Sequence, residues 1–447
     1  MKIKKQILIY ITLFITFINI LSYSNIAQAT NENAQNIEQT ATNSQPNFPI
    51  YSEAAILMDS NTGKILYGKN ENQKQYPAST TKILTAILAI ENCQLTDKLT
   101  ASYNAVMTIP SGYSNAAIQV GETLTVQELL DMFLIHSANE IGNIFAEHIS
   151  GSIDNFANLM NQKAAEIGCT NTHFTNPSGI HDANHYSTAY DMGLIARYCM
   201  QNETFRNVVS KVSCSIEPTD KYEKRYFRTT NDLIDPSSQY YYEYAIGVKT
   251  GFTSQAKNCL IAASLKDNLE LITVSLGAEA TSDGRSGRYV DTVNLFNYGF
   301  DNYKIQEIAT KGSVIQELEI ENGTKDTKNL SLLLEKSVSG LVTKNFDLNN
   351  LDYSVELNEN ILAPISEGSV LGKITYNIDG ITYSSNLVAS HSVEESNLTI
   401  LIVQIILAIF VLFILSKLLA PKNNKKKKSN KKSKKSNRNK DSIYKFN

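Results

Sequence analysis

The stretch Tyr76-Pro77-Ala78-Ser79-Thr80-Thr81-Lys82-Ile83-Leu84-Thr85-Ala86 sets a serine and a lysine three residues apart at the head of an apolar run. Residues three apart on a helix share a face, so the Lys82 amine reaches the Ser79 hydroxyl. A lysine at its ordinary pKa of about 10.4 is protonated at neutral pH. To serve as a base it must fall to roughly 7–8. Burial or a nearby cation has to supply that shift, at about 1.4 kcal/mol per unit. The residues that follow favour burial, because Ile83 to Ile90 is apolar nearly all round, the pattern of an interior helix. Pro77 suits the position just before a first helical turn. Ser79 is therefore a candidate nucleophile and Lys82 its base, a pair that needs neither histidine nor metal. A lone Ser-x-x-Lys also arises by chance, and its bland alternative is a polar helix start with a solvated lysine.

The outer segments bear on where such chemistry would take place. Met1–Ala29 reads as a signal peptide: Lys2, Lys4 and Lys5, then an apolar stretch from Ile7 to Leu21, then Ala27-Gln28-Ala29. Leu398–Leu419 is long and apolar enough to cross a bilayer. The basic segment after it, residues 420–447, predicts a cytoplasmic tail by the positive-inside rule. The expected location is the outer face of a bacterial cell membrane, with a C-terminal anchor and the leader removed. The chain holds 41 basic and 44 acidic residues. Setting aside the leader's three lysines, and the thirteen bases and one acid from Lys417 onward, leaves 25 against 43, a body near −18. So acidic a body argues against nucleic acid as a partner. Five scattered cysteines, Cys93, Cys169, Cys199, Cys214 and Cys259, fit neither a disulfide framework nor a zinc pattern.

Between these ends the sequence divides in two. Residues 30–47 are rich in Asn, Gln, Thr and Ala and read as a flexible lead-in. Ala54 to Met58 and Lys64 to Tyr67 flank Ser60-Asn61-Thr62-Gly63 as a hairpin. Helical patterns dominate to about Gly193, among them Val126 to His136 and Ile153 to Ile167. Strands return at Ala245 to Thr250, Cys259 to Leu265 and Leu269 to Leu276, followed by a helix from Arg285 to Tyr298. Strands at both ends with helices between predict a mixed α/β domain over residues 48–300. Residues 301–393 read as a small β-rich domain, with strands at Ser369 to Ile378 and Ile381 to Val388 and no catalytic clustering.

Two further motifs fall within the α/β region. Ser137-Ala138-Asn139 follows the apolar pattern Leu129 to Ile135, and Lys249-Thr250-Gly251 closes the strand from Ala245. Ser-x-x-Lys, Ser-x-Asn and Lys-Thr-Gly in that order form the signature of the active-site serine, penicillin-recognising enzymes. The chain resembles one family of these, the low-molecular-weight penicillin-binding proteins or serine-type D-alanyl-D-alanine carboxypeptidases. The resemblance covers about residues 48 to 390. It includes Phe174-Thr-Asn-Pro-Ser-Gly-Ile180, His185 to Ala196, Gly247 to Leu260 and Ala363-Pro-Ile-Ser-Glu-Gly-Ser-Val-Leu-Gly-Lys373. Ala138 and Ile141 stand where the family carries smaller residues, Ser178 at a common histidine position, and Phe252 where some members have histidine.

The resemblance implies a β-lactamase/transpeptidase-like catalytic domain, with an antiparallel sheet and a helical cluster, ahead of the all-β domain. It implies an acyl-enzyme on Ser79, with Lys82 as base and Ser137, hydrogen-bonded near Lys82, relaying the proton to the leaving amine. Asn139 would hold a substrate amide and help orient Lys82, and Lys249 would help depress the Lys82 pKa and, with Thr250, bind the terminal carboxylate. Backbone N–H groups of Ser79 and Phe252 would form the oxyanion hole, Gly251 would allow close approach, and Arg288 would stand nearby. The implied substrates are peptidoglycan stem peptides ending in D-Ala-D-Ala, with β-lactams as covalent inhibitors and no cofactor or metal. Three alternatives are a DD-endopeptidase, a β-lactamase and an inactive wall-binding protein. For a class A β-lactamase, the deacylating Glu-x-x-Leu-Asn segment is missing between Ser137 and Lys249. His181 and His185, four apart in a turn-rich stretch, read as structural rather than metal-binding.

Overall fold

The computed structural model describes residues 46–396 and 398–419. The leader, all but the last two residues of the lead-in, and the basic tail lie outside the described residues. Strand β1 (Ala54–Asp59) is buried on both faces and pairs antiparallel with β2 (Ile65–Lys69). A tight 3-10 turn over Ala78–Thr81 leads into helix α1 (Lys82–Asn92). Ribbon strands β3 (Lys98–Thr100) and β4 (Thr123–Thr125) bracket α2 (Tyr103–Met107) and a long loop. Helices α3 (Val126–Asp131), α4 (Glu140–Ser150), α5 (Ile153–Ile167), α6 (Ala189–Met200) and α7 (Glu203–Val209) follow. A second ribbon joins β5 (Ser213–Ile216) to β6 (Arg225–Arg228). The chain then returns to the main sheet as β7 (Ala245–Thr253), β8 (Lys257–Lys266) and β9 (Leu269–Ala278), and helix α8 (Gly287–Asn302) closes the domain.

The main sheet has the order β2-β1-β9-β8-β7, antiparallel throughout. β1 sits inside it because Ala54 to Met58 offers apolar side chains to both faces. Ile56 and Met58 join Ile261, Val274 and the helices α1 to α7 in one core, while Leu57 joins Leu260, Leu271 and Phe296 of α8 in the other. Such continuous apolar runs mark strands covered on both sides. Asp291 of α8 ties down the chain entry by accepting from Tyr51 N at 2.9 Å and from Ser52 N and Oγ at 2.7 and 2.6 Å.

The second domain is all-β. Strands β10 (Tyr303–Ala309) and β13 (Val338–Thr343) pair with each other. Strands β11 (Val314–Glu319), β12 (Asn329–Leu334), β14 (Asp352–Leu357), β15 (Val370–Ile378) and β16 (Ile381–Ala389) form a sheet in the order β11-β12-β16-β15-β14. Leu330, Leu332, Ile374 and Leu387 fill its core. The two strands expected here are joined by five that sequence reading passed over. One of these, β14, is an edge strand with most of its side chains exposed, so it has no apolar alternation to read. Helix α9 (Leu398–Leu419) follows, apolar all round and exposed from Leu401 onward.

Two helix expectations change in detail. The segment Val126 to His136 is α-helical only to Asp131, and then widens into a π turn over Met132–His136. Ser79 lies in the 3-10 turn, and the α-helix begins at Lys82. All five cysteines are free thiols.

Candidate active site

The turn that carries Ser79 is held in an uncommon shape. Ala78 has a φ of +48°, the left-handed region that alanine disfavours. Pro77 O accepts from both Thr80 N and Thr80 Oγ1, at 3.2 and 2.6 Å. Behind the turn, buried His185 places Nε2 2.8 Å from Thr81 Oγ1 and accepts from Thr175 N through Nδ1 at 3.1 Å. Burial pushes its imidazole down to about 3, so it is a neutral brace. Backbone strain of this kind persists only where the surroundings over-determine it.

Lys82 is fully buried beneath Ser79. Its Nζ stands 2.9 Å from Ser79 Oγ, 2.8 Å from Asn139 Oδ1 and 2.7 Å from the Ser178 carbonyl. Burial drives its pKa well below the ordinary value; the Lys249 charge adds to the fall, and Glu140 opposes it. A neutral amine has two N–H groups and one lone pair. Asn139 Oδ1 and the Ser178 carbonyl can only accept, so they take both N–H groups and leave the lone pair for the Ser79 hydroxyl.

Ser137 follows the π turn with φ +69°, which swings its side chain into the cleft. No hydrogen-bond partner of its hydroxyl is found among the described residues, and the expected bond near Lys82 is not formed: the lysine's three neighbours are Ser79, Asn139 and Ser178. Asn139 is anchored on the opposite loop, where Ser114 O accepts from its N and Nδ2 at 3.0 and 2.8 Å. That assignment leaves Oδ1 facing Lys82.

β7 forms the other wall. A Cβ on Gly251 would stand 3.0 Å from Ser79 N and 3.1 Å from Pro77 O, so glycine lets the strand lie against the nucleophile turn without pressing on it. Thr250 Oγ1 shares a 2.6 Å hydrogen bond with Thr230 Oγ1. The Phe252 ring is exposed at the cleft mouth. Lys249 is almost wholly buried, with Nζ donating to Thr250 O at 3.0 Å. Burial, then the Arg288 charge, lowers its pKa to about 7. Arg288 is half-buried and lines the cleft; its Nη1 donates to Gly251 O at 3.3 Å, while Nε has no partner among the described residues.

Ser79, Ser137, Asn139, Thr230, Thr250, Gly251, Phe252 and Arg288 thus meet around one open cleft of about 560 Å³. Sequence reasoning missed Thr230, Ser114 and Glu140, and named Ser178 without giving it a role. The signal for Glu140 was its place directly after Asn139; Ser114 and Thr230 sit in loops with no motif of their own. Among the described residues no group of three or more His, Cys, Asp or Glu is placed to hold a metal ion.

A D-alanyl-D-alanine carboxypeptidase family model matches residues 39–280, and one for the C-terminal domain of penicillin-binding protein 5 matches residues 303–395. The D-alanyl-D-alanine carboxypeptidase DacF of Bacillus subtilis is 32% identical over 345 residues, 76% of this chain and 85% of that protein. DacA of Haemophilus influenzae is 30% identical over 359 residues, 78% of this chain and 87% of that protein. Among solved structures, penicillin-binding protein 5 from Haemophilus influenzae superposes with a TM-score of 0.60 at 29% identity, covering 78% of this chain and 98% of that one. Fold and cleft together define a serine hydrolase of the penicillin-recognising class. The chain belongs to the D-alanyl-D-alanine carboxypeptidase family.

Proposed function

We propose that the protein removes the terminal D-alanine from peptidoglycan stem peptides ending in D-Ala-D-Ala, through an acyl-enzyme on Ser79. The observation that carries this reading is the buried Lys82 amine, 2.9 Å from Ser79 Oγ and 2.8 and 2.7 Å from two groups that only accept, Asn139 Oδ1 and the Ser178 carbonyl. Ser79 Oγ attacks the carbonyl of the penultimate D-alanine as Lys82 takes its proton. The N–H groups of Ser79 and Phe252 receive the oxyanion, each donor being worth roughly 3–4 kcal/mol. The proton taken by Lys82 passes through the Ser137 hydroxyl, which turns toward Lys82 once substrate is bound, to the amine of the leaving D-alanine as its C–N bond breaks. Thr230, Thr250 and Arg288 receive the terminal carboxylate, and Lys249 adds positive charge. Water then frees the shortened peptide. A β-lactam occupies the same place and acylates Ser79.

We assign residues 48–300 to the catalytic domain and 301–393 to the β domain. Helix α9, at 22 residues about 33 Å long, is long enough for a hydrocarbon core of about 30 Å. It anchors the chain with its body outside the cytoplasmic membrane, the leader removed and the basic tail inside. The test is intact-protein mass spectrometry of the full chain in detergent with benzylpenicillin. One penicilloyl adduct is expected, absent in Ser79→Ala; no adduct, or an adduct on Ser79→Ala, overturns the assignment. Release of D-alanine from monomeric rather than cross-linked muropeptides separates a carboxypeptidase from an endopeptidase.

A further inference from the structure

In the loop that forms the outer cleft wall, the residue Ala116 is gripped through both its backbone groups. Its N–H donates to Glu140 Oε1 at 2.7 Å, and its carbonyl accepts from Arg225 Nη1 at 3.1 Å. Arg225 is in turn fixed by Glu122, which accepts from Nη1 at 3.4 Å and more closely from Nη2. Glu122 also takes the Gln119 N–H and the Thr219 hydroxyl, each at 2.9 Å. The residue exposures are 0% for Glu122, 2% for Glu140 and 7% for Arg225. Burying charge in this way is a poor route to stability. Glu140 Oε2 in addition is buried with no partner among the described residues, which costs rather than stabilises.

The clamp has a direct path to the nucleophile. Two residues before Ala116, the Ser114 carbonyl takes both donors of Asn139, at 3.0 and 2.8 Å. The Asn139 Oδ1 left over faces Lys82 Nζ at 2.8 Å. On the other side of Ala116, Ala117 is held at φ +55°, a conformation that alanine keeps only where its surroundings impose it.

We propose that Glu140 and Arg225 are positioning residues for acyl transfer. By clamping Ala116 they hold the Ser114 carbonyl against Asn139 and so aim its amide oxygen at Lys82. Neither touches the reacting atoms, and the proposal rests on the roles given above to Ser79 and Lys82.

The test is a double-mutant cycle of Glu140→Ala with Asn139→Ala, read as the rate constant for acylation of the full chain by saturating benzylpenicillin. Glu140→Ala is expected to slow acylation about 10- to 100-fold, the scale of a hydrogen bond to a charged group. In the Asn139→Ala background it should slow it no further, because both act through one group. Glu140→Gln, whose amide oxygen still accepts from Ala116, should recover most of the loss. An unchanged rate in Glu140→Ala, or losses that multiply in the double variant, overturns the proposal. Should Glu140→Ala fail to melt cooperatively, Glu140→Asp draws the carboxylate back by one methylene, and the same cycle decides in the same two ways. Absence of an adduct on the wild type overturns both the proposal and the reading beneath it. An adduct with multiplying losses overturns the positioning role alone.

Discussion

Two buried lysines carry the residue-scale chemistry, and they make different predictions. Lys82 touches Ser79, so Lys82→Ala should lower the acylation rate by about 10²–10⁴, the usual worth of a positioned base, measured with benzylpenicillin on protein that still melts cooperatively. Lys249 is almost wholly buried, and its pKa falls from 10.5 to about 7. Between those values the unfolded chain binds a proton that the folded chain has released. Stability therefore rises with pH across that window; the contribution is complete above 10.5 and lost as pH falls to about 7. Lys249→Met, of similar length and uncharged, should melt higher than the wild type at pH 7, with the gap closing by pH 10.5. The same variant should acylate more slowly, a trade of stability against activity. A wild-type melting temperature that does not rise from pH 7 to 10 relative to Lys249→Met would contradict the burial argument.

At the scale of elements, the nucleophile turn is a junction between three segments, and glycines mark its contacts. Gly251 brings β7 against Ser79 N, and Gly179 brings the Ser178 loop against Ala78, where a Cβ would stand 1.8 Å from the Ala78 carbonyl at a φ of +75°. Gly251→Ala should cost about 1–3 kcal/mol of overpacking and disturb acylation more than folding, because the atoms pressed on are those of the turn itself. Gly179→Ala adds left-handed strain to a harder clash, for a loss of about 3 kcal/mol or more in urea titrations. A smaller loss for Gly179→Ala than for Gly251→Ala would mean that the Ser178 loop yields more readily than β7. The π turn is a further junction: α3 could not deliver Ser137 to the cleft as a regular α-helix, since that residue leaves the helix at φ +69°.

For the whole molecule, the two domains also meet through an ion pair. Lys64, in the turn before β2, bonds Asp379, in the turn after β15, at 2.8 Å, with the two side chains 24% and 47% exposed. Such a pair is worth about 0–1 kcal/mol. Asp379→Ala should thus leave acylation unchanged and move the melting temperature little. Removing residues 397 onward should release the protein from membranes while its acylation rate stays that of the full chain. Fractionation with fluorescent penicillin reads both effects, and a truncated chain that remains with the membrane would point to a second attachment.

The sequence by itself determined the outline: which segments are strands of a covered sheet, which helix is apolar all round, and that Ser79, Lys82, Ser137, Asn139 and Lys249 fall into three ordered motifs. These were legible because side-chain periodicity and short spacings are local, and local patterns follow from backbone geometry. Contacts between distant segments were not. The Ser178 carbonyl on Lys82, Thr230 beside Thr250, and the grip of Glu140 and Arg225 on Ala116 join residues from 20 to 109 positions apart. The expected Ser137 bond near Lys82 also yielded to tertiary structure. The π turn directs that side chain into open cleft. Motif order names the reacting groups, but only the folded chain decides which lone pair faces which proton, since that depends on every acceptor brought within about 3 Å of the amine.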